Sequence, residues 1–241
     1  MQIFSKTDKG MKRNTNQDVF VSAELEGGAV FAIVCDGMGG ANAGNIASET
    51  AVKSISEYII HSYRVNMDAF EIEKMLKNAI ESANIEVYDM ALKDLNLKGM
   101  GTTAVCLVIK DSIAVIAHVG DSRAYLMNGE LTQLTRDHSI VQSLVESGKI
   151  TSLEARQHPR KNVITRALGA EETVMPDINA LSVNSDDIIL LCTDGLTSYA
   201  VEDEIVSELS NFDSTIAERL IDLANNGGGG DNITVVVLKN D

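Results

Sequence analysis

Apolar positions along the chain recur with two different periods. Ile46, Ala51, Ile55 and Ile59 return every four or five residues, and Ile72, Leu76, Ile80, Ala83, Val87 and Met90 every three or four. That spacing lines one face of an α-helix, so two long amphipathic helices are predicted. Short apolar or β-branched runs at 30–35, 102–109, 113–119, 124–127, 188–192 and 233–238 predict strands. Asp111-Ser112 and Asn128-Gly129 fall where hairpin turns would join neighbouring runs, so much of the sheet is expected to be antiparallel. Two further helices are predicted over 201–209 and 214–224. Strands interrupted by helical pairs, without a repeating βαβ unit, give a layered α+β fold.

Composition narrows the class. The chain has 241 residues, two prolines (Pro159 and Pro176) and no Ser-rich, Gln-rich or long charged tract that would mark a linker, so residues 1–241 are expected to form one domain. A hydrophobic content of 44% in a chain of this size can build a core without covalent staples. Twenty Lys and Arg stand against 35 Asp and Glu, a net charge of −15 that repels phosphodiester backbones and anionic lipid. Neither nucleic acid nor a membrane is expected as a partner. Cys35, Cys106 and Cys192 are odd in number, lie in apolar runs and show no CxxC spacing. They read as reduced core residues of a cytoplasmic protein, and they exclude a zinc site. Residues 1–13 lack the apolar stretch of a signal peptide, and no run approaches the ~18 apolar residues of a membrane span. The nine methionines are expected mostly as core filler.

One local pattern repeats. The runs at 30–35 and 188–192 each lead into an aspartate followed by glycine, Asp36-Gly37 and, one residue later, Asp194-Gly195. Two related arrivals are Gly120-Asp121-Ser122-Arg123 after the run at 113–119, and Gly230-Asp231-Asn232 before the run at 233–238. Any single Asp-Gly is most simply a turn. Four carboxylates meeting at strand ends are another matter, because pairs about 4 Å apart repel by roughly 4 kcal/mol at an effective dielectric near 20. Such a cluster must protonate or hold cations. Oxygen-only ligands select hard ions such as Mg²⁺ or Mn²⁺, and a carboxylate bridging two ions suits hydrolysis of phosphate esters. No GxxxxGK[ST] loop, HExxH or GxSxG elbow is present, and Gly37-Met38-Gly39-Gly40 does not complete GxGxxG.

Eight ordered segments carry a resemblance. They are 13–18 (RNTNQD), 35–40 (CDGMGG), 101–103 (GTT), 119–123 (VGDSR), 135–139 (TRDHS), 165–169 (TRALG), 193–195 (TDG) and 230–234 (GDNIT). Together they resemble the metal-dependent Ser/Thr protein phosphatases of the type 2C class, over essentially the whole chain, in the form of the soluble bacterial branch. The resemblance implies an αββα sandwich of two largely antiparallel sheets flanked by pairs of helices, with the site at one edge of the sheets. It implies two Mn²⁺ or Mg²⁺ ions: Asp36 bridging both, Gly37 giving its carbonyl to one, and Asp194 and Asp231 completing the other. Asp121 matches the residue that, with Asp194, can hold a third and weaker ion. Asp18 would act through ion-bound water, and Arg13, otherwise a surface cation, matches the phosphate-binding arginine, whose planar fork can pair two oxygens. Many eukaryotic members carry a histidine two places after the bridging aspartate, proposed as general acid; here Met38 stands there. Protonation of the leaving group must then come from elsewhere, from an ion-bound water or from His118 or His138, although each histidine reads first as structural.

The function implied is hydrolysis of phosphoSer and phosphoThr on proteins, a hydroxide bridging the two ions attacking phosphorus in line without a phosphoenzyme. Phosphoprotein substrates, an opposing Ser/Thr protein kinase and a monomeric state are expected. A silent phosphoprotein-binding regulator of the same fold, which loss of metal ligands would mark, is one alternative; a phosphatase of small metabolites is another. The resemblance identifies 139–165 as the flap, a mobile element beside the active site. Residues 149–166 carry five basic side chains and one acidic, a net +4 within a chain of −15, which is either a solvated basic loop or an attractive field for anionic peptides.

Overall fold

A computed structural model describes residues 1–40 and 43–240. The first half of the chain forms β1 (Gln2–Asp8), β2 (Asp18–Glu24), β3 (Val30–Met38), α1 (Ala43–Ser62), α2 (Ala69–Lys93), β4 (Gly101–Thr102), β5 (Ala104–Lys110) and β6 (Ile113–Val119). The second half adds β7 (Arg123–Met127), β8 (Leu131–Gln133), α3 (Ile140–Glu146), α4 (Ser152–Gln157), β9 (Asp177–Ser182), β10 (Ile188–Cys192), α5 (Asp194–Thr197), α6 (Glu202–Ser210), α7 (Ile216–Asn226) and β11 (Ile233–Lys239). Two sheets result, ordered β1-β11-β10-β7-β8 and β2-β3-β5-β6-β9, with β4 attached to β3. The named strand pairs are all antiparallel.

The apolar patterns explain the layers. Ile72, Leu76, Ile80, Ala83 and Val87 of α2 are all buried, together with Ala51, Ile55 and Ile59 of α1, against one face of the second sheet. Asp68 starts α2 by accepting the Glu71 N–H at 2.8 Å, while Glu71 accepts the Asp68 N–H at 3.0 Å, so each side chain satisfies a donor the first turn leaves open. Leu209 of α6 and Leu220 and Ile221 of α7 cover the outer face of the first sheet. Between the sheets lies a third apolar layer that includes Val30, Ala32, Val34, Leu107, Ile116, Leu191 and Val236. The result is an αββα sandwich, as the resemblance implies.

Strand alternation decides where the chemistry points. In β3, Phe31, Ile33 and Cys35 face α1 and α2, whereas Val30, Ala32 and Val34 enter the layer between the sheets. Asp36 shares the second parity, so its carboxyl emerges at the edge of that inner layer. Cys106 lies under α1 and α2 as Cys35 does, Cys192 lies under α6 and α7, and all three thiols are free and buried, as packing residues should be.

The structure differs from the sequence patterns in two respects. The run at 102–109 is two strands, because Thr103 turns out of the ladder to bond Asp36. The strands β1, β2, β8 and β9 have no counterpart among the predicted runs, and these four are the outer strands of the two sheets. An outer strand buries only part of one face, so its sequence lacks the continuous apolar run of an inner strand. The methionines behave as expected: Met75 and Met100 are buried in the core and Met1, Met67, Met90 and Met127 pack partly buried against it, so six of the nine fill core space, while Met11 and Met175 are each 71% exposed.

Leu107, fully buried between the sheets, gives the test of this layering. Leu107→Ala should cost about 2–5 kcal/mol in urea unfolding, from lost transfer energy and the cavity left behind. Leu95→Ala, at a side chain 86% exposed, should stay within about 0.5 kcal/mol of wild type.

Candidate metal centre

The five aspartates come from five different places and meet at one edge of the sandwich. Asp36 lies near the end of β3, and Asp18 opens β2 directly opposite it in the antiparallel register. Asp121 sits in the turn between β6 and β7, Asp194 is the first residue of α5, and Asp231 lies two residues before β11. A cleft of about 220 Å³ is lined by Arg13, Asp36, Gly37, Asp121, Asp194 and Asp231, among others. Asp18 lies behind it, 5% exposed. All seven residues singled out in the sequence are thus brought together.

Several residues not singled out hold them there. The Asp36 N–H donates to Thr103 Oγ1 at 2.9 Å, and its carbonyl accepts from Thr102 Oγ1 at 2.8 Å, so the backbone is gripped on both sides. A Cβ on Gly37 would lie 2.1 Å from the Gly44 carbonyl oxygen, and one on Gly195 would lie 1.8 Å from that of Asn232. Only glycine lets these backbones approach. Asn232 accepts the Gln17 N–H at 2.9 Å and donates to the carbonyls of Lys9 and Thr15, pinning the segment that carries Arg13 beside Asp231. Thr193 and Thr234 donate to Asp18 Oδ2 at 2.9 and 2.8 Å, bridging the two sheets through one carboxylate. These residues stand inside the motif segments, and nothing in the sequence marks a threonine or asparagine as a bracket until its partner is known.

The cluster is electrostatically unbalanced. Burial pushes Asp18 up to about 7 against the hydrogen bonds from Thr234 and Thr193, with the charges of Asp194 and Asp231 adding to the rise. Burial likewise raises Asp36 well above the usual carboxylate range, followed by repulsion from Asp18, Asp194, Asp121 and Asp231. Asp194 rises to about 6 through burial and the Asp231 charge, and Asp121 is raised by burial and then by Asp194 and Asp137. Arg13 Nη2 donates to Asp231 Oδ2 at 2.8 Å, and the charges of Arg123 and Arg13 oppose the rise at Asp194 without cancelling it. Asp18 Oδ1 and Asp194 Oδ1 are buried without a hydrogen-bond partner. Orphaned carboxylate oxygens in an oxygen-only donor set fit hard divalent cations.

A different cluster, His118, His138 and Asp177, also brings potential ligand atoms within 4.8 Å of one another. Its hydrogen bonds describe structure. The Gly120 N–H donates to His138 Nδ1 at 3.0 Å, so the neutral ring carries its proton on Nε2, 3.2 Å from Asp177 Oδ2, with no lone pair left for an ion. The two rings stack with centroids 4.8 Å apart. Burial lowers both imidazoles, and neither lines the cleft, so the structural role expected of each holds and the part of proton donor falls away.

The flap segment contains α3 and α4, capped by Ser139 and Thr151. Beside it a larger cleft of about 310 Å³ shares Asp121, Asn162 and Asp194 with the first and is lined by Arg156 and Lys161 on the flap side. Arg166 is paired with Asp177 at 2.6 Å.

Comparison with known proteins agrees with this geometry. Residues 10–227 match the family model for protein phosphatase 2C. The serine/threonine phosphatase stp of Listeria monocytogenes is 41% identical over 240 residues, which cover 98% of this chain and 94% of that protein. The serine/threonine phosphatase of S. agalactiae superposes with a TM-score of 0.92 at 36% identity, covering 100% of this chain and 99% of that one. The catalytic domain of the serine/threonine protein phosphatase PstP, solved in complex with two manganese ions, superposes with a TM-score of 0.86 at 31% identity, over 100% and 98% of the two chains. The chain belongs to the protein phosphatase 2C family, and it is a metal-dependent phosphatase.

The raised carboxyls make stability depend on pH in a direction that can be checked. Groups that bind protons more tightly folded than unfolded stabilise the ion-free protein fully below about 4, and that contribution is lost as pH rises through about 6 and 7, the values reached by Asp194 and Asp18. The melting temperature of the chelated protein should therefore fall by roughly 5–10 °C between pH 5 and 7.5, each kcal/mol being worth about 2–4 °C for a chain of this size. Saturating Mn²⁺ should abolish most of that fall, because ions bind only the folded cluster. Scanning calorimetry with and without chelator checks both.

Proposed function

We propose that this chain dephosphorylates phosphoserine and phosphothreonine in proteins, using two Mn²⁺ or Mg²⁺ ions held by Asp36, the Gly37 carbonyl, Asp194 and Asp231. The observation that supports it most is the meeting of Asp36, Asp121, Asp194 and Asp231 in one cleft beside Arg13, with Asp194 Oδ1 and, behind the cleft, Asp18 Oδ1 buried without a partner. Asp121 with Asp194 holds a third, weaker ion, and Asp18, hydrogen-bonded on one oxygen only, orients water from behind. When bound, the ions lower the pKa of water and neutralise charge on the phosphoryl oxygens. Arg13 is half-exposed at the cleft rim and binds the phosphate of the substrate. Met38 lines the cleft and has no ionisable group to offer; the charged side chains among the described lining residues are the aspartates and Arg13.

The reading extends to one catalytic domain, monomeric and cytoplasmic, acting against a Ser/Thr protein kinase. No helix among the described residues is long and apolar enough to cross a membrane. The silent-regulator alternative requires loss of ligands, and every carboxylate of the cluster is present. Comparing rates on phosphopeptides and sugar phosphates separates the metabolite alternative.

Three measurements test the assignment. Asp36→Asn or Asp194→Asn should remove nearly all Mn²⁺-dependent turnover of para-nitrophenyl phosphate while the protein stays folded, since each change also relieves repulsion. Substantial turnover by Asp36→Asn would sink the dinuclear assignment. Arg13→Ala should raise KM for a phosphopeptide far more than it weakens metal binding; equal loss of both would make the arginine structural.

The third measurement concerns the flap charge. Lys161 lines the cleft beside the aspartates and Arg160 adjoins it, and neither makes an ion pair among the described residues. An anionic peptide approaching a body of −15 needs a local attractive field. Arg160→Glu with Lys161→Glu should lower kcat/KM on phosphopeptides by roughly tenfold, about 1.4 kcal/mol, with salt narrowing the gap. Para-nitrophenyl phosphate should be affected much less, and equal loss on both substrates would reject the steering role.

A further inference from the structure

We infer that His138 is a positioning residue for Asp121: it holds the Gly120-Asp121-Ser122 turn in the pose from which the carboxylate takes a divalent ion, and ties the base of the flap to that turn. The inference rests on reading Asp121 as an ion ligand.

The turn is held at both ends, and His138 is one of the two holds. Gly120 has φ +108°, and a Cβ there would lie 2.5 Å from Thr103 Cγ2, so the backbone adopts a conformation open only to glycine. Glycine alone does not fix a turn. His138 does so by a reciprocal pair: its N–H donates to the Gly120 carbonyl at 2.9 Å, and its Nδ1 accepts the Gly120 N–H at 3.0 Å. On the far side of Asp121, Ser122 Oγ lies 2.7 Å from Thr103 Oγ1, which also accepts the Asp36 N–H. Asp121 therefore hangs between a clamp on the flap side and a clamp shared with Asp36.

The imidazole is itself prepared for this task. Accepting from Gly120 requires the Nε2–H tautomer, and Asp177 Oδ2 faces that nitrogen at 3.2 Å. The other Asp177 oxygen accepts from Arg166 Nη1 at 2.6 Å, so the carboxylate is oriented in turn. The ring of His118 stacks on His138, and His118 Nε2 is 2.9 Å from the Arg136 carbonyl oxygen. The link to the flap is direct: the His138 carbonyl accepts the Thr165 N–H at 2.7 Å, and Ile140 N–H donates to the Val163 carbonyl at 3.0 Å. Both ends of the flap thus close on the residue that holds Asp121.

Two amide substitutions separate positioning from space filling. In His138→Asn, Oδ1 comes close to the place of Nδ1 and can accept from Gly120, but contact with Asp177 is lost. In His138→Gln, the amide comes close to the place of Nε2, so Asp177 is kept and Gly120 is lost. Mn²⁺ binding to the chelator-stripped protein, followed by isothermal titration, should show the two tight ions unchanged in both. The third should be weakened roughly tenfold in Gln and less than about threefold in Asn, the scale expected for outer partners of an ion site. Equal weakening in Asn and Gln would show a steric role and overturn the inference. So would wild-type affinity in Gln when Asp121→Ala has lost the third ion. Retention of the third ion in Asp121→Ala would instead overturn the reading of Asp121 as a ligand, and this inference with it. Asp177→Asn is an independent arm should Gln not fold. Arg166 keeps one oxygen as acceptor, so the amide nitrogen faces His138 and favours the Nδ1–H tautomer, which cannot accept from Gly120. Third-ion affinity should fall in that variant too, and a wild-type value would overturn the inference.

Discussion

Mutual repulsion among five carboxylates at one edge of the sandwich is the constraint around which the site is built. Asp18 and Asp36 face each other across an antiparallel register, while Asp194 and Asp231 arrive from the other sheet. A fold that gathers these charges in a partly buried cleft loses stability unless something compensates, and Arg13 and Arg123 do not suffice. Raised proton affinities at Asp18, Asp36, Asp121 and Asp194 are the response of the ion-free chain. Divalent cations are the response that serves phosphate chemistry, because the same positive charge that relieves the carboxylates meets the phosphoryl oxygens of a substrate.

The scaffold pre-organises that cluster with short polar brackets. Thr102 and Thr103 hold the backbone of Asp36, Thr193 and Thr234 hold Asp18, and Asn232 holds the loop between β1 and β2 that carries Arg13. Behind them lie the fully apolar interiors of β3, β5, β10 and β11, whose alternation sends one parity to the helices and the other to the inner layer. A one-residue slip in β3 would turn Asp36 toward α1. Packing between the sheets therefore fixes the chemistry, and the Gly37 and Gly195 contacts leave the strand ends little freedom to separate.

What could be read in the sequence follows the same physics. The inner strands and the helices α1, α2, α6 and α7 carry full apolar periodicity because each buries a whole face, so their patterns declare them. The outer strands β1, β2, β8 and β9 bury part of one face, and their mixed sequences do not. Asp36, Asp121, Asp194 and Asp231 were legible as strand-end carboxylates. Arg13 and Asp18 were legible only through the family resemblance, since Asp18 opens a strand that has no clear pattern. Thr193, Thr234, Asn232 and His138 were not legible as brackets: their roles are hydrogen bonds to residues distant in sequence, 175 positions away for Thr193 and Asp18.

The central claim is that Asp36 bridges two ions. Electron paramagnetic resonance of the Mn²⁺-loaded protein tests it without reference to turnover. Wild type should show the exchange-coupled signal of a paired Mn²⁺ site, and Asp36→Asn should show at most isolated Mn²⁺. An exchange-coupled pair persisting in Asp36→Asn, or isolated ions only in wild type, would contradict the account.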